Sequence, residues 1–168
     1  NVSGHYDAFV SIGMLEHVGS SHYRELGAVI NRTLNDDGRG LIHSIGQNQS
    51  LPTSTWTQRR IFPGGYIPTL SEISGILSPH DFSIVDVENL RPHYAQTLRH
   101  WLERFEANRD EVRSMYDDGF IRAWRLYLTG SIANFAFGHL QLYQVLFSRL
   151  GNQSLPNTRE DIYHDECQ

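Results

Sequence analysis

Tyr6-Asp7-Ala8-Phe9-Val10-Ser11-Ile12 is a β-rich run closed by Gly13. Its apolar centre, with no polar alternation, predicts a strand buried on both faces in a parallel sheet. Downstream, His22 to Leu34 carries Tyr23, Leu26, Ile30 and Leu34 at helical spacing. Asp37-Gly38 then turns the chain into a second strand, Gly40-Leu41-Ile42-His43-Ser44-Ile45-Gly46. Strand, helix, strand suggests a right-handed crossover, and with it an α/β fold.

Outward from that unit the punctuation is clear. Gln47 to Thr55 is polar with a proline, and Ile61 to Pro68 has its breakers too close for regular structure, so both read as loops around a short helix. A helix over Ser71 to Ser78 and a strand over Phe82 to Val87 follow, with Pro92 stopping the run. Between Ala95 and Gly138, Leu98, Trp101, Leu102 and Phe105 form one stripe, and Trp124, Tyr127, Leu128, Ser131 and Phe135 another. Two long helices broken near Asp118-Gly119 are expected, then a last strand over Leu140 to Phe147 and a polar, frayed tail over 151–168.

The 168 residues are 39% apolar and 20% charged, the balance of a globular chain of one domain. No apolar run reaches the roughly 18 residues of a membrane span, and the start lacks the basic and apolar segments of a signal peptide, so any membrane contact is expected to be peripheral. Cys167 is the one cysteine, which leaves no intrachain disulfide or cysteine metal site and fits a cytoplasmic setting. The net charge is −5 and the arginines are spread along the chain, against a nucleic-acid surface. His17 with His22, and His93 with His100, lack the spacing of a zinc site.

Three places carry groups capable of chemistry. In Gly13-Met14-Leu15-Glu16-His17-Val18-Gly19, an acid and a histidine follow a parallel strand, where open α/β sheets bind ligands. Glu16 reads equally well as a cap. His43 shares a strand face with Leu41 and Ile45, more often the place of a satisfied core histidine than of a ligand. Tyr127 falls in an aromatic helix stripe, where packing is the commoner role.

Taken together, Val10 to Gly19, Leu41 to Gly46 and Ile61-Phe62-Pro63-Gly64-Gly65 resemble, in order and spacing, consecutive signatures of the cyclopropane-fatty-acyl-phospholipid synthases and mycolic acid cyclopropane synthases. The resemblance continues through Arg91 to Leu98, Tyr127 to Gly130 and Gln141 to Ser148. It implies the C-terminal half of a class I S-adenosylmethionine-dependent methyltransferase fold over 1–150, with a two-helix insertion before the last strand. The family's strand order would make the sheet run four, five, seven, six, and Tyr6 to Ile12 a bare edge. The half with the cofactor's glycine loop would be absent, as in an incomplete gene model or partial sequence, and the isolated piece inactive.

The activity implied is S-adenosylmethionine-dependent cyclopropanation of the double bond in unsaturated phospholipid acyl chains at a peripheral membrane surface, with a homodimer as one assembly. The alkene attacks the sulfonium methyl, and a bound bicarbonate ion removes the proton whose loss closes the ring. In the family's pattern Glu16 accepts the bicarbonate hydroxyl, His43 and Tyr127 donate from side chains and Ile45 from its backbone N–H. Ile12 and Gly13 pass close to the cofactor, and Trp101, Phe105, Trp124 and Phe135 line the acyl pocket or simply pack. Ser131 and Ala136 depart from the pattern, in which a cysteine-containing stretch and an arginine are common. The rival readings are a relative giving methyl-branched or hydroxylated lipids, a small-molecule N-methyltransferase, and an inactive lipid-binding piece; Glu16 argues for ring closure.

Overall fold

The computed structural model describes residues 2–155, 158 and 159. The chain runs β1 (Tyr6–Ile12), α1 (Leu15–Val18), α2 (Tyr23–Thr33), β2 (Leu34–Gln47), α3 (Thr55–Arg60), α4 (Leu70–Leu77), β3 (Phe82–Asn89), α5 (Arg91–Ala107), α6 (Arg109–Met115), α7 (Asp118–Phe137) and β4 (Leu140–Arg149). The sheet order is β1-β2-β4-β3, the four, five, seven, six order expected. It is mixed: β1 pairs parallel with β2, whereas β4 is antiparallel to both β2 and β3.

The expectation of β1 buried on both faces is corrected. Its one hydrogen-bonded neighbour is β2, and Val10 and Ile12 are 60% and 69% exposed. Among the described residues the run lies at the sheet's edge, as the resemblance implies, and its Val10 and Ile12 face is exposed. β2 also starts earlier than expected, because Tyr6 pairs with Leu34 and Ala8 with Arg39. Two steps along β1 thus match five along β2, and the surplus bulges out where the Asp37-Gly38 turn is expected.

Alternation along β2 and β4 splits the core between two faces. Ile42, paired with Val145, packs beneath α2 and α4 with Ile30, Ile73, Ile76 and Phe147. Ile45, paired with Leu142, faces α5 and α7 with Leu98, Leu128 and Phe135. His43 lies on the second face, one alternate position from Ile45. Gly40 belongs to the first: a Cβ there would lie 2.0 Å from the Phe147 ring.

The helical insertion has three pieces rather than two. Pro92 opens α5 instead of merely ending a strand, since the first turn has no use for its missing N–H. α5 ends at Asn108, whose side chain donates to the Arg104 carbonyl at 2.8 Å. α7 starts where Asp117 caps it, its Oδ1 accepting from the Phe120 N–H at 2.7 Å. Among the described residues no helix is long and apolar enough to cross a membrane. Beyond β4 the tail is tied down at first, with Arg39 donating to the Ser154 carbonyl and Arg159 pairing with Asp86. Cys167 lies outside the described residues.

Candidate active site

A cleft of about 700 Å3 opens on the α5–α7 face of the sheet, past the C-terminal end of β1. Ile12, Gly13, Glu16, His43, Ile45 and Tyr127 all border it. Residues separated by more than a hundred positions in sequence therefore meet at one place, the location that open α/β sheets use for ligands.

Its floor is set by local backbone geometry. Gly13 leaves β1 with φ of +63°, which side chains resist, and a Cβ there would meet nothing within 4 Å. Its N–H donates to the His43 carbonyl at 2.9 Å. The short helix α1 then turns Glu16 back over the end of β2. Glu16 is 8% exposed, and its Oε1 accepts from the Ile45 N–H at 2.6 Å. Its Oε2 is buried with no partner. The Ile45 N–H, expected to reach an ion, is thus given to Glu16 in this structure.

Burial pushes the His43 pKa below its ordinary value of 6.5, against the opposing pull of the Glu16 carboxylate. The ring is therefore neutral at pH 7 and offers one N–H donor and one acceptor. Tyr127 comes from α7 on the opposite wall. Burial raises its pKa, with the Ser131 hydroxyl partly offsetting the effect, so it keeps its proton and can donate. Its ring meets Phe62 edge-on at 5.8 Å and Trp124 at 5.3 Å.

The segment 48–69 makes the third wall, through Leu51, Pro52, Trp56, Phe62 and Ile67. Several hydrogen bonds close it. Gln47 Nε2 donates to the Leu51 and Ile67 carbonyls at 3.0 and 2.7 Å, and the Tyr66 N–H donates to the Glu16 carbonyl at 2.9 Å. The Tyr66 hydroxyl donates to Glu72 Oε1 at 2.5 Å. Sequence reading misses Gln47, Tyr66 and Tyr94, which also borders the cleft; the Ile61 to Pro68 breakers were the one signal near Tyr66.

Of the four aromatic residues considered for an acyl pocket, Phe135 borders the cleft. Phe105 and Trp124 pack into the α5–α7 core, and Trp101 is 40% exposed against Tyr94. Ser131 is buried at the cleft wall. At Ala136 a basic group is supplied from α5: Arg91 Nη1 donates to the Phe135 and Ala136 carbonyls at 2.6 and 2.9 Å. Among the described residues no cluster of histidine, cysteine and acids could hold a metal.

Around the cleft Glu16 Oε2 is a free acceptor, and the neutral His43 and protonated Tyr127 are donors, the chemical complement of a small oxyanion bearing one proton. The cleft walls around them are mainly apolar, suited to a hydrocarbon chain.

Residues 1–145 match the family model described as mycolic acid cyclopropane synthetase. A tuberculostearic acid methyltransferase of Mycobacterium tuberculosis (strain ATCC 25618 / H37Rv) is 39% identical over 158 residues, covering 90% of this chain and 37% of its own length. The cyclopropane-fatty-acyl-phospholipid synthase of Escherichia coli (strain K12) is 36% identical over 150 residues, covering 89% and 39%. A solved mycolic acid cyclopropane synthase complexed with SAH and CTAB superposes with a TM-score of 0.81 at 28% identity, over 89% of this chain and 57% of the other. The chain spans about two fifths of the length of these curated relatives.

Proposed function

We propose, from the premise that the chain belongs to the mycolic acid cyclopropane synthetase family, that its cleft serves one-carbon transfer to the double bond of an unsaturated phospholipid acyl chain, closing a cyclopropane ring. The reading rests on one observation above the rest: Glu16, at the cleft, holds an Oε2 that is buried without a hydrogen-bond partner. An acceptor left in that state costs stability unless a ligand uses it.

When bound, S-adenosylmethionine supplies the methyl carbon and a bicarbonate ion the base. Ile12 and Gly13 form the rim beside which the cofactor would lie, where the glycine presents bare backbone. Glu16 Oε2 would accept the ion's hydroxyl proton in a hydrogen bond, while His43 and Tyr127 donate to its oxygens. Ile45 acts through Glu16, fixing Oε1 so that the other oxygen keeps its direction. Tyr127 and Phe62 present rings to the space between, and a ring face stabilises nearby positive charge by about 0.5–2 kcal/mol. The segment 48–69 keeps water from charge that develops on the acyl chain.

A second reading has its own support, because the relative 39% identical is named a methyltransferase of tuberculostearic acid. Both readings share the methyl donor and the alkene; they differ in whether the cation loses a proton, so that the product gains CH2 as a ring, or receives hydride from a separate reductant, so that it gains CH4 as a saturated branch. Mass spectrometry of lipids from cells making the protein with its full native reading frame, wild type beside Glu16→Gln, tests the choice. Ring products that collapse in the variant support the first reading. A saturated branch supports the second, and unchanged lipids in the wild type end both.

A further inference from the structure

We propose that the elbow joining α6 to α7, formed by Met115, Tyr116 and Phe120, seats the protein on a phospholipid bilayer and leads an acyl chain along a line of rings to Tyr127. The inference rests on the acyl-chain reading of the cleft and adds the surface through which that chain arrives.

Met115, Tyr116 and Phe120 are 62%, 53% and 37% exposed. Single exposed apolar side chains are ordinary, but these are contiguous. Tyr116 and Phe120 stack at 4.2 Å, Phe120 lies parallel to Trp124 at 6.1 Å, and Trp124 meets Tyr127 at 5.3 Å. The rings thus run from open surface to a wall of the cleft. Leu126, on the same helix, is 58% exposed and also borders the cleft.

The elbow is held in shape rather than left loose. The Tyr116 N–H donates to the Val112 carbonyl at 2.9 Å, and Asp117 caps α7 through the Phe120 N–H. Arg113 bridges the joint to Asp118 at 3.2 Å. A fixed apolar edge at a helix junction loses little conformational freedom on docking.

Charge selects the kind of surface. Around the elbow Arg109, Arg113, Arg122 and Arg125 are balanced by Asp110, Glu111, Asp117 and Asp118, and the chain carries −5 overall. Attraction to anionic lipid is therefore not the driving force. Tyrosine, tryptophan, phenylalanine and methionine at a neutral site are the chemistry of insertion among zwitterionic headgroups. A chain that must leave a bilayer for the cleft would then follow the rings of Tyr116, Phe120 and Trp124 to Tyr127.

The test is co-sedimentation of the full protein with unsaturated phosphatidylcholine vesicles, wild type beside Met115→Ser/Tyr116→Ser/Phe120→Ser, at low and high salt. The wild type is expected to bind with little salt dependence and the variant at least about tenfold more weakly, with its melting temperature nearly unchanged. Brominated phosphatidylcholine should quench the tryptophan fluorescence of the bound protein, and Trp124→Phe should remove part of that quenching. A wild type that stays in solution, a variant that binds as well as the wild type, or binding confined to anionic vesicles overturns the proposal. So does an elbow that instead pairs two copies, seen as self-association lost in the variant while vesicle binding persists. Because binding needs no turnover, a vesicle-bound protein that makes no modified lipid would leave the elbow as a membrane seat but overturn both the reading of the cleft and the acyl path to Tyr127.

Discussion

The backbone N–H of Ile45 donates to Glu16 Oε1 at 2.6 Å across the end of the sheet, and this contact leaves Glu16 Oε2 buried without a partner. The two oxygens therefore have separate tasks: one holds the side chain in place, and the other remains free to accept. On the proposed reading, a carboxylate so divided should tolerate replacement of its second oxygen in structure but not in function.

Glu16→Gln keeps a carbonyl oxygen for the Ile45 N–H and replaces the free acceptor with an NH2 donor. The fold should persist, while product formation falls by about 10² or more, the usual loss for a group serving proton transfer. Thermal melting alongside acyl-chain mass spectrometry separates the two effects. A variant with near wild-type turnover would remove Glu16 from the mechanism.

His43 predicts the acid limb of the pH profile. Its pKa is lowered in the folded state, first by burial, so the unfolded chain binds more protons as pH falls below 6.5. Stability contributed by the neutral ring is accordingly complete above 6.5 and lost progressively below it, down to the folded value. Activity should follow the same direction, steady near neutrality and falling at an apparent pKa under 6.5. In His43→Gln that share of the acid destabilisation should be absent from melting curves taken across the range.

Much of this arrangement is legible in the sequence because periodicity reports faces. The alternation Leu41, His43, Ile45 puts the histidine opposite Ile42, and the structure has the two on different sides of the sheet. What periodicity does not report is partnership. An apolar run such as Phe9-Val10-Ser11-Ile12 reads as doubly buried wherever its neighbours are, yet here the face carrying Val10 and Ile12 is exposed. Gln47 reads as the start of a polar loop but ends β2, and its contacts go to two carbonyls in a loop whose path no local pattern fixes. The break at Asn108 lacks glycine or proline and was equally hidden, whereas the cap at Asp117 falls next to the expected break.

Tyr127→Phe removes one hydroxyl and keeps the ring contacts to Phe62 and Trp124. Since burial holds the phenol protonated, what is lost is a donor. A fall of about 10- to 100-fold in turnover is expected, consistent with losing one hydrogen bond to an ionised group. Tyr127→Leu should lose more and should also lower the melting temperature, because it removes the ring as well. Equal activity in Tyr127→Phe and wild type would confine Tyr127 to packing.

Arg149 anchors the far end of the sheet. Its guanidinium donates to the Asn31 and Leu34 carbonyls and to Asn31 Oδ1, and lies 4.9 Å over the Phe82 ring. Arg149→Met keeps the stem but orphans carbonyls at the end of α2. A loss of about 2–4 kcal/mol is expected from denaturant titration, with the surviving activity per folded molecule unchanged.

Gln47→Leu addresses the third wall. The side chain is 8% exposed and donates twice, to Leu51 and to Ile67, so the leucine would fill the space while leaving two carbonyls unpaired. About 1–3 kcal/mol of stability should be lost. The functional consequence is more specific, because segment 48–69 forms the third wall of the cleft. On the proposed reading, a loosened wall would admit water to the charge developing on the acyl chain, and water would capture that charge as an alcohol. The product mixture should therefore shift from ring toward hydroxylated chains, even where total conversion is retained. Gln47→Glu, which loses both N–H donors and sets a carboxylate against the same carbonyls, should shift it further. Mass spectrometry resolves the two products by one added water; an unchanged product ratio in both variants would show that segment 48–69 does not exclude solvent through Gln47.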